Sequence, residues 1–513
     1  MRLRSRGAHT FDYQLQGQRR ALWPRAATAL KWVLLLALLL AGVLALQTWR
    51  MGSRQLQVPP APVLAVDEQA AGESLGVAIR ARTVSSRQDA ALNTDQFVAL
   101  QAHLRTRYPR VHATLKREMI GGLSLLYRWP GSDEAAKGIG LMAHQDVVDV
   151  APGTQAQWQQ APFAGTLDDG FVWGRGSWDN KAHLVAQLEA VEMLLASGYQ
   201  PRRTIYLIFG ADQQVGGLRG ALAIATLMAE RKITLDFLVN EGLLISEGVW
   251  PGLKPAAALI GVAEKGTVSV LLKLPATQGQ ESMPPAPGSS AIAVMSTALT
   301  RLEAAQRPAS LRGVAREMLE TLAPEMSGFS RVALSNLWLF GPWVAQQLAA
   351  RAGTHAQIRT TTAVTRVNAG QLDDGGPGAA EATLNFRLLP GDSQAGLLQQ
   401  VRNATRDGPF ELVVLPGAAE PSKVTPTDSD SYRLINRTVR ELFPGTVVAP
   451  GLMVASTDSR HFAEVAEHIY RFSPLRAKPE DLARVRGTDE RISLSNLAQL
   501  IRFYHRLIEQ GAK

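Results

Sequence analysis

The residues most able to do chemistry are a histidine and an aspartate two apart, His144 and Asp146, closing the apolar run LMAHQDVV at 141–148. A histidine at the C-terminal end of a buried strand points into the crevice where open α/β sheets bind ligands. A nearby carboxylate can hold its second ring nitrogen, as in metal sites. A hydrogen-bonded core pair is the plainer alternative for such a motif. Three more polar stretches follow apolar runs: Asp212-Gln213-Gln214, Asn240-Glu241, and Ser456 through His461. A fifth, WGRGSWDNK at 173–181, is a glycine-bearing turn leading into a helix. Asp179 within it has two readings, helix N-cap and metal ligand.

These stretches need a scaffold that brings them to one crevice. Residues 139–143, 204–209 (TIYLIF) and 235–239 read as buried strands. Residues 182–195 carry Leu184, Val185, Leu188, Val191, Leu194 and Leu195 at helical spacing, with Gly198 just past the end. Strands alternating with helices predict a mostly parallel sheet covered on both faces. After Glu264-Lys265-Gly266 the character changes. TVSVLLKL at 267–274 alternates like a half-exposed strand, a Pro/Gly loop at 284–288 leads to a helix near 292–305, and 360–366 and 382–388 read as strands. This predicts a small α+β domain inserted in the main one, with Pro390-Gly391 as the return point. An amphipathic helix is expected at 494–507.

The 513 residues exceed one ordinary core, and 46% hydrophobic content with 19% charge means a folded chain. Nine of the 54 Lys and Arg but one of the 45 acids lie in the first 54 residues, which leaves 45 against 44 in the rest. The net charge of +9 therefore belongs to the N-terminus, and no basic stripe interleaved with aromatics suggests nucleic acid. With no cysteine, disulfides, thiolate metal sites and thiol nucleophiles are excluded. Seven basic residues from Arg2 to Lys31 precede an apolar run at 32–46 that Trp49 closes. The charge bias predicts a single transmembrane segment with the N-terminus cytoplasmic and the body exported. A cleaved signal peptide is the competing reading, but thirty residues ahead of the apolar core is long for one. Residues 55–62, with Pro59, Pro60 and Pro62, read as a tether.

The motifs MAHQDVV, WGRGSWDNK, GADQQVGGLRGA, NEG and STDSRHF, with EKG, SMPP and NFRLLPGDS between and after them, resemble the dinuclear-zinc peptidases of metallopeptidase family 20. The likeness spans roughly residues 75–510 and is nearest to the carboxypeptidase S, N-acyl-amino-acid hydrolase and aminoacylase branch. It implies a zinc-peptidase-like α/β catalytic domain in two parts, 76–265 and 391–513, around an α+β lid at 266–390 that can serve dimerisation. Residues 1–31, 32–49 and 50–75 remain as basic terminus, anchor and linker. It further implies that His144 and His461 bind zinc, that Asp146 orients His144, that Asp179 bridges two zinc ions, and that Arg387 in the lid receives a substrate carboxylate. The implied substrate is a small peptide or an N-acyl amino acid.

The chain departs from that pattern where charge matters most. Relatives read DEEVGG where this chain has DQQVGG, so Gln213 stands at the general-base position and Gln214 at a ligand position. Asn240 replaces a ligand aspartate, Gln280 takes the place of the lid histidine, and the terminal HGxxE pattern becomes Arg486-Gly487-Thr488-Asp489-Glu490. An amide keeps the shape of a carboxylate but loses its charge and cannot accept a proton near neutral pH. Weakened zinc binding and impaired hydrolysis follow as expectations, with a ligand- or partner-binding protein as the alternative outcome.

Overall fold

The computed structural model describes residues 12–275, 288–369 and 379–513. Gln280 and most of the 284–288 loop lie outside them. An eight-stranded mixed sheet forms the centre. From edge to edge it runs Lys116–Ile120, Ser124–Trp129, Ile205–Gly210, Gly138–His144, Leu235–Ser246, Ala466–Ala477, Ala257–Glu264 and Val447–Met453. Gly138–His144 lies parallel to both neighbours, and Leu235–Ser246 parallel to Ala466–Ala477. Every residue of Gly138–His144 and of Ile205–Gly210 is buried, as expected where helices cover both faces of a parallel sheet. Helices Lys181–Ala196 and Leu494–Gly511 pack together on one face, tied by a 2.8 Å hydrogen bond between His183 Nδ1 and the Tyr504 hydroxyl. Helix Ala221–Glu230 covers the other.

A second, antiparallel sheet orders Thr361–Ala369, Ala380–Leu388, Gly266–Leu274 and Glu411–Val414. Its own core of Val268, Val270, Met295, Leu384, Phe386, Leu397 and Val401 is closed by helices Ala291–Ala304 and Gln394–Ala404. The sheet thus continues well past Gly391. The chain returns to the large sheet only at strand Val447–Met453, because Leu397, Val401 and Leu412 need the small core for burial. Between the halves of this sheet lies a helical block, Gly313–Leu322 through Ala352–Ile358, for which the sequence analysis had no element. It packs Met318, Leu319, Leu322 and Val344 onto Trp250, Leu259 and Ala449 at the edge of the large sheet.

A third, three-stranded sheet of Arg491–Ser493, Phe171–Trp173 and Thr166–Asp168 sets the register of the site, pairing Arg491 with Trp173 across 318 residues of sequence. The N-terminal helix Asp12–Arg50 includes one stretch, Thr28–Arg50, that is long and apolar enough to cross a membrane or to act as a signal sequence. Its 23 residues rise about 35 Å, against a hydrocarbon core of about 30 Å. The tether that follows is docked, since the Gln55 side chain bonds both the amide (2.7 Å) and the carbonyl (3.0 Å) of Val448.

Candidate active site

His144 ends its strand fully buried, with Nδ1 2.8 Å from the carbonyl and 3.2 Å from a carboxylate oxygen of Asp146. Asp146 also accepts hydrogen bonds from Ser85 Oγ (2.6 Å) and from the backbone amides of Gln213 (3.2 Å) and Gln214 (2.9 Å). One carboxylate thereby holds the imidazole and the glutamine loop together. Burial works against a charged imidazole at His144, but the charges and hydrogen bonds of Asp146 and Asp179 outweigh it and hold the pKa well above its ordinary value.

The two readings of Asp179 separate here. Asn180, not Asp179, is the residue ahead of helix Lys181–Ala196, and the Asp179 carboxylate turns into the crevice instead. Its Oδ1 lies 3.5 Å from His144 Nε2, and its Oδ2 accepts from Gln214 Nε2 (3.3 Å) and from Arg486 Nε. Burial raises its pKa, yet His144 and Arg486 drive the net shift downward. The local fold explains the arginine. Glu490 is buried against the 174–179 turn, accepting from the amides of Gly176 (3.1 Å), Trp178 (3.0 Å) and Asp179 (3.1 Å) and pairing with Arg175 (2.6 Å). Strand Arg491–Ser493 fixes that carboxylate, so Arg486 is delivered to Asp179.

Gln213 donates through Nε2 to Glu241 Oε1 at 2.7 Å, and the Asp458 amide approaches its Oε1 at 3.4 Å. Asn240 pairs with Arg471 in the ladder, whereas Leu243 faces Phe472, so Glu241 and Gly242 bulge out of register. The bulge brings Glu241 into the crevice, where burial pushes its carboxyl pKa up. Asn240 keeps neither partner: both side-chain polar atoms are buried and unpaired. Asp212 stays outside the chemistry, its oxygens taken by the amides of Arg219 (2.9 Å) and Gly220 (3.0 Å).

His461 does not join His144 and Asp179: its Nε2 sits 3.1 Å from the Gly216 carbonyl, and it lines a neighbouring cavity. A short helical turn, Asp458–Phe462, turns Asp458 into the cluster in its stead. Asp458 is buried with Oδ2 unpaired, and burial followed by the charges of Asp146, Glu241 and Asp212 raises its pKa well above the ordinary value, against the pull of His144. Gly217 makes room for it, having φ +70° and space in which a Cβ would meet Asp458 Oδ1 at 2.1 Å. Asp458 stood in a stretch already marked as polar; Arg486 was visible only as a departure from HGxxE.

Across the crevice, Arg387 on the small sheet donates to Ser456 Oγ at 2.8 Å. Burial, followed by neighbouring Arg460, lowers its pKa while Glu264 counters. Glu264 accepts from the Thr457 amide (3.0 Å) and hydroxyl (2.7 Å) and pairs with buried Arg471 (3.0 Å). Lys265, buried beside it, donates to the carbonyls of Ala356 and Arg359, and desolvation then Arg387 bring its pKa down to about 7. A cavity of about 590 Å³ opens here, lined by charges of both signs, Lys265, Lys423, Arg460 and Arg471 against Glu264, Glu420 and Glu467, with Ser456 and His461 beside them.

The cluster does not fit a dinuclear metal centre. Among the described residues one group of three His, Asp or Glu ligand atoms lies within 4.8 Å of one another, namely Asp236, Glu467 and His468. That group sits at the opposite ends of the strands, with Asp236 paired to Arg203 and Glu467 to Lys137. In the crevice, amides stand at Gln213, Gln214 and Asn240, and a guanidinium holds Asp179.

An α/β domain with a strand-end His-Asp pair and an α+β lid whose arginine faces the same crevice has the architecture of a metallopeptidase. The profile of Peptidase family M20/M25/M40 matches residues 140–510, and the chain belongs to that family. It is 37% identical over 420 residues to "Probable carboxypeptidase S-like 2" of Dictyostelium discoideum, covering 82% of this chain and 80% of the relative. It is 36% identical over 443 residues to the N-fatty-acyl-amino acid synthase/hydrolase PM20D1 of Xenopus tropicalis, covering 86% and 85%. The structure of an M20 family metallo-carboxypeptidase from Sulfolobus solfataricus shares the fold with a TM-score of 0.63 at 15% identity, covering 87% of this chain and 99% of that one. Metal dependence belongs to the family; zinc at this crevice was an expectation from resemblance.

Proposed function

We propose that this protein is a membrane-anchored carboxypeptidase S-like family member that binds the free carboxylate of a peptide or N-acyl amino acid, and that its two-metal amide hydrolysis is impaired. The basic N-terminal flank supports a body outside the cytoplasm. The observation that carries the reading is Arg486 on Asp179 Oδ2: a fixed cation of the protein holds the carboxylate that resemblance assigns to bridging metals. Gln213 and Gln214 at the base and ligand positions support the same conclusion, because neither can take a proton and neither brings charge to a dication.

Ligand binding rests on the other half of the crevice. Arg387, poised at Ser456 beside the cavity, offers a guanidinium fork suited to a carboxylate. Gln280 is assigned to the same ligand from the lid. The outer strand Thr361–Ala369, with Val364 40% and Val367 52% exposed, supports a homodimer through the lid. Titration calorimetry with an N-acyl amino acid and its carboxamide tests the reading. The acid is expected to bind about 10- to 100-fold more tightly than the amide, with Arg387→Ala abolishing the difference. Equal binding of acid and amide, or turnover at the rates of ordinary metallopeptidases, would overturn it.

A further inference from the structure

Among the described residues the anchor helix meets the body at helix Gly328–Ser335 and the segment after it, and the surface around that contact is rich in exposed aromatics. Asn336 Nδ2 donates to Thr48 Oγ1 (3.1 Å) and lies 3.4 Å from the Leu44 carbonyl, while Trp338 Nε1 donates to Gln47 Oε1 (2.8 Å). Met51, just beyond the anchor, packs into the cluster of Trp250, Met318 and Leu334. Leu44 is six residues from the end of the apolar span at Arg50, a rise of about 9 Å. The segment at Asn336 therefore sits at the depth of the anchor's last two turns.

Two helices flank that segment, Gly328–Ser335 and Leu337–Ala349. They present Phe329 (55%), Trp338 (59%), Leu339 (39%) and Trp343 (43%) outward, on a protein whose other large exposed apolar side chains are mostly those of the anchor or single residues. The aromatics form one surface: the Phe329 ring meets Phe340 at 5.4 Å and Trp343 at 5.3 Å, both edge to face. From 328 to 349 there is no acidic residue, and Arg331 is the one charge. Tryptophans at the end of a span, with an apolar helix face and no acids, suit the boundary between headgroups and acyl chains.

We propose that helices Gly328–Ser335 and Leu337–Ala349 form a second membrane contact, lying in the bilayer interface beside the anchor and fixing how the body stands on the membrane. The inference rests on Thr28–Arg50 spanning that bilayer. The occupant of the surface is lipid because the surface is continuous with the anchor and hydrogen-bonded to its last turns.

The absence of cysteine makes the test direct. Single cysteines at Phe329→Cys, Leu339→Cys, Leu38→Cys in the anchor and Val98→Cys on helix Thr94–Arg107 would be labelled with an environment-sensitive fluorophore in the full chain, in phosphatidylcholine/phosphatidylglycerol vesicles. All four side chains are exposed, so folding is preserved, and circular dichroism checks it. Lipids spin-labelled near the headgroup are expected to quench the labels at 329 and 339 about threefold more than the label at 98, and lipids spin-labelled deep in the acyl chain to quench the label at 38, which lies at the middle of the span. Quenching at 38 with none above the level of 98 at 329 and 339 would overturn the second contact while leaving the anchor intact. No quenching at 38 would remove the anchor and the inference with it. Protection of 329 and 339 that grows with protein density instead of lipid quenching would assign the surface to another copy of the chain, and would also overturn it.

Discussion

The two sides of the crevice handle buried charge in opposite ways. Where the large sheet meets the lid, Glu264 is met by Thr457 and Arg471, and Arg387 of the lid by Ser456, with Arg471 Nη2 the one atom of the Glu264–Arg471 pair left without a partner. On the sheet side, Asn240 has neither polar atom paired, and Glu241 Oε2, Asp458 Oδ2 and His144 Nε2 lack hydrogen-bond partners. Buried unpaired polar atoms cost free energy, and they persist where function retains them despite that cost. On the proposed reading, the contrast makes the strand-end cluster around His144 the altered ligand-holding centre and the Glu264–Arg471 seam a mostly paired one. In that centre Arg486 supplies positive charge at Asp179, although it is 44% exposed and only partly compensates the cluster.

The comparison can be broken most forcefully on the paired side. Arg471→Met leaves Glu264 buried and uncompensated and is expected to cost about 3–5 kcal/mol in chemical denaturation. The double variant Glu264→Gln/Arg471→Met should recover much of that loss; no recovery would mean that the pair is not what stabilises the seam. Gly217→Ala sharpens the other side. Its positive φ and the contact with Asp458 Oδ1 predict a loss of about 2–3 kcal/mol, and adding Asp458→Ala should leave only the backbone part.

Lys265 gives a pH signature. Its folded pKa of about 7 lies below the ordinary lysine value, so between roughly pH 7 and 10 the unfolded chain binds the additional proton. Stability contributed by this group therefore rises with pH across that window, by up to about 1.4 kcal/mol per pH unit, and is absent below pH 7. Lys265→Met should flatten the slope of unfolding free energy against pH; an unchanged slope would show that the buried amine is not its source. The smallest effect is expected at Arg486→Ala. The pair with Asp179 is partly solvated, so the loss should be about 1 kcal/mol, and a loss as large as that of Arg471→Met would mean that Arg486 is a structural clamp.

Strands 139–143 and 204–209 were legible to within a residue or two because parallel strands buried on both faces are unbroken apolar runs, and 267–274 because an antiparallel strand with one face buried alternates. Asp146 and its tie to His144 could be read from two positions of one stretch. What sequence could not supply was anything set by distant pairing. Arg486 reaches Asp179 only because Arg491 pairs with Trp173, and Glu241 enters the crevice through a bulge that simple alternation does not foresee. The choice between Asp458 and His461 depended on a single helical turn, and both residue types were plausible ligands. The helices at 313–358 pack on the large sheet through a surface unrelated to their place within the insert.

Metal content tests the central claim most directly. The body from Gln55 onward would be equilibrated with excess zinc, freed of unbound ion and measured by elemental analysis, beside the variant Gln213→Glu/Gln214→Glu/Asn240→Asp/Arg486→His. The account predicts little zinc in the natural chain and about two ions in the variant, the complement of a two-metal site. About two ions retained by the natural chain would contradict it.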